Sequence, residues 1–204
     1  EKYPMKKSNT FVYELDGNLY INLTNRCSNA CSFCVRNDKE SYFGNALWLE
    51  HEPSAAEVIE AIPDRAYPEV VFCGFGEPTE RLDALVEIAG VLKERGHTVR
   101  LNTNGQGNLI NGRDITTDLA MCVDKVNVSL NAPTAEAYQA VCRSIYGESA
   151  FSALISFAKR CRDKSMDVVL SVVDCIGAEA VAACRALAEE NGLRLRVRAM
   201  IENS

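Results

Sequence analysis

Apolar residues recur along the chain with two different spacings. Short runs rich in valine and leucine predict strands, and they lie near residues 19, 70, 98, 125, 168 and 194. Between most of these runs, apolar residues recur every three or four positions and predict helices over 82–92, 134–142, 151–161 and 178–191. An earlier helix is predicted to begin at Ser54, because Ser54 and Glu57 have the spacing of a capping box.

A β-hairpin is predicted at residues 10–23. Two strand-like runs, 11–15 and 19–23, flank the pair Asp16-Gly17. This pair favours a type I′ turn, in which both central residues have positive φ. The second run is also the first of the six repeating strands.

The alternation of strands and helices predicts an α/β fold with parallel strands and helices outside. Eight such units would close a TIM barrel, so six predict an open, partial (β/α)6 barrel. No linker interrupts the pattern, and we expect a single domain over residues 1–204. Ligands bind at the carboxyl ends of the strands in such folds. Four candidate segments follow predicted strands in this way: 27–34, 74–78, 102–105 and 129–131.

Charge narrows the possible partners. The chain has 22 Lys and Arg against 28 Asp and Glu, a net charge of −6, which disfavours nucleic acid as a partner. Arg194, Arg196 and Arg198 alternate, so in a strand all three would share one face. That face either binds an anionic ligand or is solvated and ion-paired.

The cellular compartment is also suggested by composition. No apolar run approaches the length of a membrane span, and residues 1–9 do not resemble a signal peptide, so we expect no membrane partner. The cysteine count is nine, an odd number. This favours a reducing compartment such as the cytoplasm over a disulfide framework.

Three of the cysteines, Cys27, Cys31 and Cys34, lie close together in the sequence. Thiolates bind iron–sulfur clusters, and three local cysteines would leave one iron of a four-iron cluster open for chemistry. A structural zinc site needs a fourth Cys or His at short range, which is missing here. A bacterial-type ferredoxin has a cysteine followed by proline, and this chain has none.

The other six cysteines are scattered, which is typical of isolated buried thiols. Cys73 and Cys175 could be additional cluster ligands, but buried thiols are the simpler interpretation. Spacing alone therefore ranks a catalytic cluster ahead of a zinc site, an electron carrier or a chance grouping, without excluding them.

The CxxxCxxC spacing, with Phe33 before the third cysteine, resembles the cluster motif of the radical S-adenosylmethionine (radical SAM) superfamily. The segment Cys73-Gly-Phe-Gly-Glu-Pro78 resembles the family's glycine-rich GGE motif at the end of the second strand. The resemblance covers nearly the whole chain. It is strongest to short members associated with TatD-type nucleases, a label that describes gene context.

This resemblance implies that Cys27, Cys31 and Cys34 hold a catalytic, oxygen-sensitive 4Fe–4S cluster whose fourth iron binds S-adenosylmethionine. One electron would cleave this cosubstrate to methionine and a 5′-deoxyadenosyl radical, which abstracts hydrogen from a substrate. A substitution at Gly76 is expected to weaken cosubstrate binding and to spare the cluster. The implied cosubstrate contacts are Phe33, Gly74, Phe75, Gly76, Glu77, Pro78, Asn102, Asn104, Ser129, Asn131 and Arg143.

Several of these residues have plainer interpretations. Ser129 and Asn131 could be strand-end residues, and Arg143 could form a surface ion pair. Asn104 precedes a glycine and is a turn former in any protein. Glu77 could be a hydrogen-bond partner behind the ligand rather than a ligand.

The substrate is not identified by these motifs. The resemblance implies a one-electron donor such as flavodoxin or ferredoxin, and a substrate that is either a protein or peptide, or a small molecule, nucleotide or RNA. A basic trench at the three alternating arginines would favour an anionic substrate, whereas an apolar rim would favour a protein. A non-catalytic iron–sulfur or zinc protein is the alternative of a different class.

Overall fold

The computed structural model describes residues 7–37 and 39–200. Its centre is one seven-stranded sheet in the order β1 to β7. The strands are β1 Val12–Leu15, β2 Asn18–Ile21, β3 Val70–Phe72, β4 Val99–Thr103, β5 Lys125–Ser129, β6 Asp167–Val173 and β7 Arg194–Arg198. Only β1 is antiparallel to its neighbour, and β2 to β7 are parallel. The open, partial barrel with an N-terminal hairpin is therefore confirmed.

Seven helices connect the strands within the described residues: α1 Ala55–Ala61, α2 Leu82–Glu94, α3 Gly107–Asn111, α4 Thr116–Ala120, α5 Ala135–Cys142, α6 Ser149–Asp163 and α7 Ala178–Glu190. Helices α3 and α4 were not predicted, since each is too short to show a helical period. No helix in this part of the chain is long and apolar enough to cross a membrane.

Two local sequence signals form as predicted. Asp16 and Gly17 both have positive φ, 50° and 77°, as a type I′ turn requires. At the start of α1, the Glu57 amide donates to Ser54 Oγ at 3.2 Å, and the Ser54 amide donates to Glu57 Oε2 at 2.8 Å. The capping box therefore satisfies two amides that the helix leaves free.

The two faces of the sheet differ in polarity. Because side chains alternate along a strand, one face of β4 to β6 carries Val99, Leu101, Val126, Val128, Val168, Leu170 and Val172, all buried in the main core. This face packs against the helices. The opposite, inner face carries Arg100, Asn102, Asn127, Ser129, Ser171, Arg196 and Arg198. A polar inner face leaves the open barrel able to receive a polar ligand.

Charges at the amino-terminal end of this inner face are paired with one another. Glu69, just before β3, forms an ion pair with Arg100, whose Nε lies 3.0 Å from Glu69 Oε2, and accepts a hydrogen bond from Lys125 Nζ at 2.6 Å. Arg194 forms an ion pair with Asp167 on the neighbouring strand. These pairs leave the carboxyl end of the sheet as the place where polar groups stay available.

Candidate functional site

A cavity of about 270 Å³ lies at the carboxyl ends of the parallel strands. It brings together twelve of the predicted site residues: Cys27, Cys31, Phe33, Cys34, Gly74, Phe75, Gly76, Glu77, Asn102, Asn104, Ser129 and Asn131. We call residues 74–77 the glycine segment. Pro78 is buried in the short 3-10 turn that follows this segment, and it does not line the cavity. Arg143 also lies outside it.

The cysteine loop, residues 27–37, docks against the end of α5. The Ala30 amide donates to the Cys142 carbonyl at 3.0 Å, and the Ser32 amide donates to the Val141 carbonyl at 2.9 Å. These two bonds flank Cys31. They hold the middle of the loop to a rigid element, so the position of its thiol is set by the fold.

Arg36 joins the cysteine loop to the glycine segment, and no sequence motif indicates this role. Its Nη1 donates to the carbonyls of Asn25 at 3.0 Å and Phe75 at 3.2 Å, and its Nη2 donates to that of Asn29 at 3.3 Å. The guanidinium lies 5.9 Å from the centre of the Trp48 ring. One cation therefore joins the two motifs, and its positive charge favours ionised sulfur nearby.

The pKa of each of the three thiols is raised, which favours the protonated form. Burial, followed by the charge of Glu77, raises the pKa of Cys27 to about 12. A hydrogen bond with Cys142, followed by burial, raises the pKa of Cys31. Burial raises the pKa of Cys34, and the positive charge of Arg36 opposes the rise at all three. Metal binding must therefore release protons from this site.

A fourth cysteine, Cys142, lies directly behind Cys31. Its buried sulfur is hydrogen-bonded to Cys31 and accepts from Asn131 Nδ2 at 3.6 Å. Cys142 does not line the cavity. It is buried as expected, but it is not isolated, since it supports a cysteine of the motif.

The interpretation of two other cysteines as buried thiols needs correction. Cys175 is exposed, because it lies in a short 3-10 turn after β6. Cys73 is only partly buried and lines the cavity, because it ends β3 beside the glycine segment.

Glu77 is a buried carboxylate whose oxygens are already engaged. Oε1 accepts from the Thr79 amide at 3.1 Å, from Thr79 Oγ1 at 2.7 Å and from Thr103 Oγ1 at 2.7 Å. Oε2 accepts from the Asn104 amide at 2.7 Å. Burial raises the pKa of Glu77, and these hydrogen bonds oppose the rise. The side chain joins the ends of β3 and β4, which supports its interpretation as a partner behind the ligand.

The two glycines of the segment are required by close packing. A Cβ at Gly76 would lie 2.2 Å from the Thr24 carbonyl oxygen and 2.6 Å from that of Arg26. A Cβ at Gly74 would lie 2.1 Å from Asn22 Oδ1. Asn22 cannot move aside freely, because its Nδ2 donates to the Leu47 carbonyl at 2.9 Å.

We expect Gly76→Ala to lower the free energy of unfolding by roughly 3 kcal/mol, because a backbone clash cannot be relieved by rotating a side chain. The clash pushes on the residue before Cys27, so reconstituted iron content should fall as well. The expectation that Gly76 substitutions spare the cluster does not fit this geometry.

The matched control is Gly90→Ala in α2, where an added Cβ meets nothing within 4 Å. It should be neutral or stabilising by up to about 1 kcal/mol. Denaturant unfolding compares the two variants. Equal midpoints for Gly76→Ala and the wild type would contradict the packing argument.

A buried polar network centred on Gln106 lies beneath the cysteine loop. Gln106 Oε1 accepts from Ser28 Oγ at 3.0 Å and from Ser144 Oγ at 2.8 Å. Its Nε2 donates to Asn29 Oδ1 at 2.8 Å and to Tyr138 Oη at 2.9 Å. All four hydrogen-bonding positions of this amide are therefore used: two hold Ser28 and Asn29 of the cysteine motif, and two hold Ser144 and Tyr138.

Of the remaining predicted residues, one is hydrogen-bonded within a turn, and two have side-chain oxygens free to bind a ligand. Asn104 acts in the turn, since its Nδ2 donates to Ser28 Oγ at 2.9 Å and its Oδ1 accepts from the Gln106 amide at 2.9 Å. Asn102 and Asn131 line the cavity, and the Oδ1 of each is buried without a hydrogen-bond partner among the described residues. Two free acceptors in one cavity indicate a ligand with N–H or O–H donors.

Asn131 and Arg143 share an unusual backbone conformation. Their φ values are 60° and 49°, in the left-handed region that favours glycine. For Asn131 this conformation lies at the cavity, where backbone strain is typical of ligand sites. For Arg143 it ends α5, and the exposed side chain points away from the cavity lining.

Within residues 7–37 and 39–200, no group of three or more His, Cys, Asp or Glu side chains could hold a single metal ion. A four-iron cluster takes one thiolate at each of separate irons, so this finding concerns single-ion sites. Three free thiols from one loop line one cavity and are held by a rigid network. This donor set fits the cluster that the resemblance implies.

The family model of the radical SAM superfamily matches residues 21–179 of this chain. The chain belongs to the radical SAM superfamily. Membership supports radical chemistry that depends on S-adenosylmethionine, and the family in general uses a 4Fe–4S cluster and needs a reductant. The non-catalytic alternative is thereby disfavoured. A search of curated protein sequences gave no match.

Solved structures share the fold at low sequence identity. SuiB from Streptococcus suis, bound to precursor peptide SuiA, matches over 94% of this chain and 41% of its own, with 17% identity and a TM-score of 0.69. The anSMEcpe structure with bound AdoMet and Cp18Cys peptide matches over 91% and 51%, with 18% identity and a TM-score of 0.68. A radical SAM methyltransferase from Sphaerobacter thermophilus matches over 92% and 68%, with 16% identity and a TM-score of 0.60. The chain thus spans less than half the length of SuiB.

Proposed function

We propose that Cys27, Cys31 and Cys34 hold a 4Fe–4S cluster and that S-adenosylmethionine binds beside it in the same cavity. When bound and reduced, this cofactor supplies the electron that cleaves S-adenosylmethionine to methionine and a 5′-deoxyadenosyl radical, which abstracts hydrogen from a substrate. The observation that carries the proposal is the convergence of three free cysteines and the glycine segment on one cavity.

The chain's own residues bind and orient the cosubstrate in this proposal. The backbone of residues 74–76 is accessible to a ligand, since neither glycine has a side chain that covers it. Asn102 and Asn131 offer unpaired amide oxygens to donors of the cosubstrate. Phe33 lines the cavity and excludes water from part of it. Ser129 also lines the cavity and offers a hydroxyl.

The substrate is proposed to be a peptide or protein, with flavodoxin or ferredoxin as the electron donor. Support comes from the similar structures whose titles name a peptide, SuiA or Cp18Cys, although those peptides belong to those proteins. The open edge of the sheet leaves the cavity accessible to a chain as well as to a small molecule.

The test is an anaerobic reconstitution with iron and sulfide, followed by addition of dithionite and S-adenosylmethionine. We expect 5′-deoxyadenosine and methionine in equal amounts by mass spectrometry. Binding of S-adenosylmethionine to the reconstituted protein, measured by calorimetry, is an independent readout if turnover waits for a substrate. Absence of both binding and product from protein with full iron content would contradict the proposal.

A further inference from the structure

The inner face of β7 carries two arginines at the cavity. Arg196 and Arg198 alternate along the strand with the apolar residues Leu195 and Val197. Both arginine side chains line the cavity that the three cysteines share. The charge of Arg198 acts on Cys73 and Tyr42, so Arg198 faces the end of β3 across the opening. Positive charge is therefore present at the mouth of the site.

These two charges have no partner in the described part of the chain, where neither guanidinium forms a hydrogen bond or an ion pair. Arg194, on the same face of the same strand, is paired with Asp167. Among the described residues, Glu77 is the only carboxylate that lines the cavity, and its oxygens accept four internal hydrogen bonds. The described lining of the cavity thus carries an excess of positive charge.

Polar groups beside Arg196 extend this surface into the cavity. The strand register places Ser129 opposite Ser171 and Ser171 opposite Arg196, so the two hydroxyls and the guanidinium form one row. A row of hydrogen-bond donors beside a guanidinium group is the lining expected for an anionic ligand.

We propose that Arg196 and Arg198 bind an oxyanion of the substrate, a carboxylate or a phosphate. The planar guanidinium fork suits either group. The proposal rests on the proposed function for the identity of the site, but it concerns only how the substrate is held. The cysteine loop and the glycine segment follow strands β2 and β3, which are at least four strands away from β7 in the sheet order, so these contacts of the cosubstrate do not involve the two arginines.

The test compares Arg196→Gln/Arg198→Gln with Arg194→Gln, a matched control on the same strand. Two probes are titrated by calorimetry into as-purified protein and into reconstituted protein with S-adenosylmethionine: inorganic pyrophosphate and an acetylated, amidated triglutamate peptide. The corresponding triglutamine peptide is the neutral control. We expect the double variant to bind at least one anionic probe about tenfold more weakly and the control variant to bind it as the wild type does.

The outcomes separate this proposal from the proposed function. Preference for the peptide or for pyrophosphate identifies the carboxylate or the phosphate as the group recognised. No probe binding, or equal loss in Arg194→Gln, overturns the anion site, while iron content and S-adenosylmethionine affinity still test the proposed function. A loss of S-adenosylmethionine affinity in the double variant would also overturn it, because the arginines would then serve the cosubstrate.

Discussion

Cys27→Ala, Cys31→Ala and Cys34→Ala are each expected to abolish cluster assembly. Each thiol lines the same cavity and belongs to one loop, so each is expected to bind a different iron. With one ligand missing, the remaining two thiols cannot hold three irons. Iron and sulfide content, and the visible absorption of the reconstituted protein, should fall to background.

Two other cysteines provide controls for this series. Cys122 is buried, its thiol donates to the Asp118 carbonyl at 3.5 Å, and it lies outside the cavity, so Cys122→Ala should keep the full iron content. Cys142→Ser is the sharper control, because Cys142 contacts Cys31 but does not line the cavity. Full iron content in any variant of the motif, or none in Cys142→Ser, would contradict the assignment of the three ligands.

The fold was predictable from the sequence where the hydrophobic pattern is long or the turn chemistry is strong. Each parallel strand of β2 to β7 coincides with a predicted run, because one side of the sheet must be apolar to pack on helices. The pair Asp16-Gly17 predicts the hairpin turn because both residues readily adopt the positive φ that this turn requires. Helices α3 and α4 could not be predicted from the hydrophobic pattern, because each has five residues, which make little more than one turn.

The motif residues were predictable, but most of what supports them was not. Gln106, Arg36 and Cys142 act through contacts with the cysteine loop that only the folded chain creates. Gln106 is separated from Ser28 by 78 positions, and no local pattern marks that pair. Arg36 lies two residues after the third cysteine, but its partners are backbone carbonyls, which carry no sequence signal.

Arg143 shows that a role in the site cannot be assigned to a residue only because its position in the sequence matches that of the family's residue. It follows α5 as the resemblance expects, yet the left-handed turn there leaves its side chain exposed and outside the cavity. In the sequence, Arg196 and Arg198 stand out only as part of an alternating pattern of positive charges. Their importance follows from the tertiary fold, which pairs Arg194 and leaves the other two at the cavity.

Glu77→Gln is expected to lower the free energy of unfolding by about 3 kcal/mol. The carboxylate accepts from Thr79, Thr103 and Asn104, and all of these groups act as donors. An amide in its place turns two hydrogens toward these donors. If the nitrogen replaces Oε2, the Asn104 amide loses its acceptor; if it replaces Oε1, the Thr79 amide does.

Glu80→Gln is the matched control, since Glu80 lies in the same 3-10 turn. Its carboxylate has only a 3.7 Å contact with the half-exposed Arg26, so its loss should cost less than about 1 kcal/mol. Urea unfolding of both variants and of the wild type gives the comparison. An unchanged midpoint for Glu77→Gln would show that the four hydrogen bonds do not support the fold.

The same variant distinguishes the two roles that the sequence left open for Glu77. A direct ligand, once neutralised, would weaken S-adenosylmethionine binding and leave stability near that of the wild type. A carboxylate that joins β3 to β4 would instead lower stability, and binding would weaken only as the glycine segment loosens. Because both carboxylate oxygens already accept hydrogen bonds within the protein at 3.1 Å or less, we expect the loss of stability. Glu77 then acts on the cosubstrate through the ends of β3 and β4, which it joins.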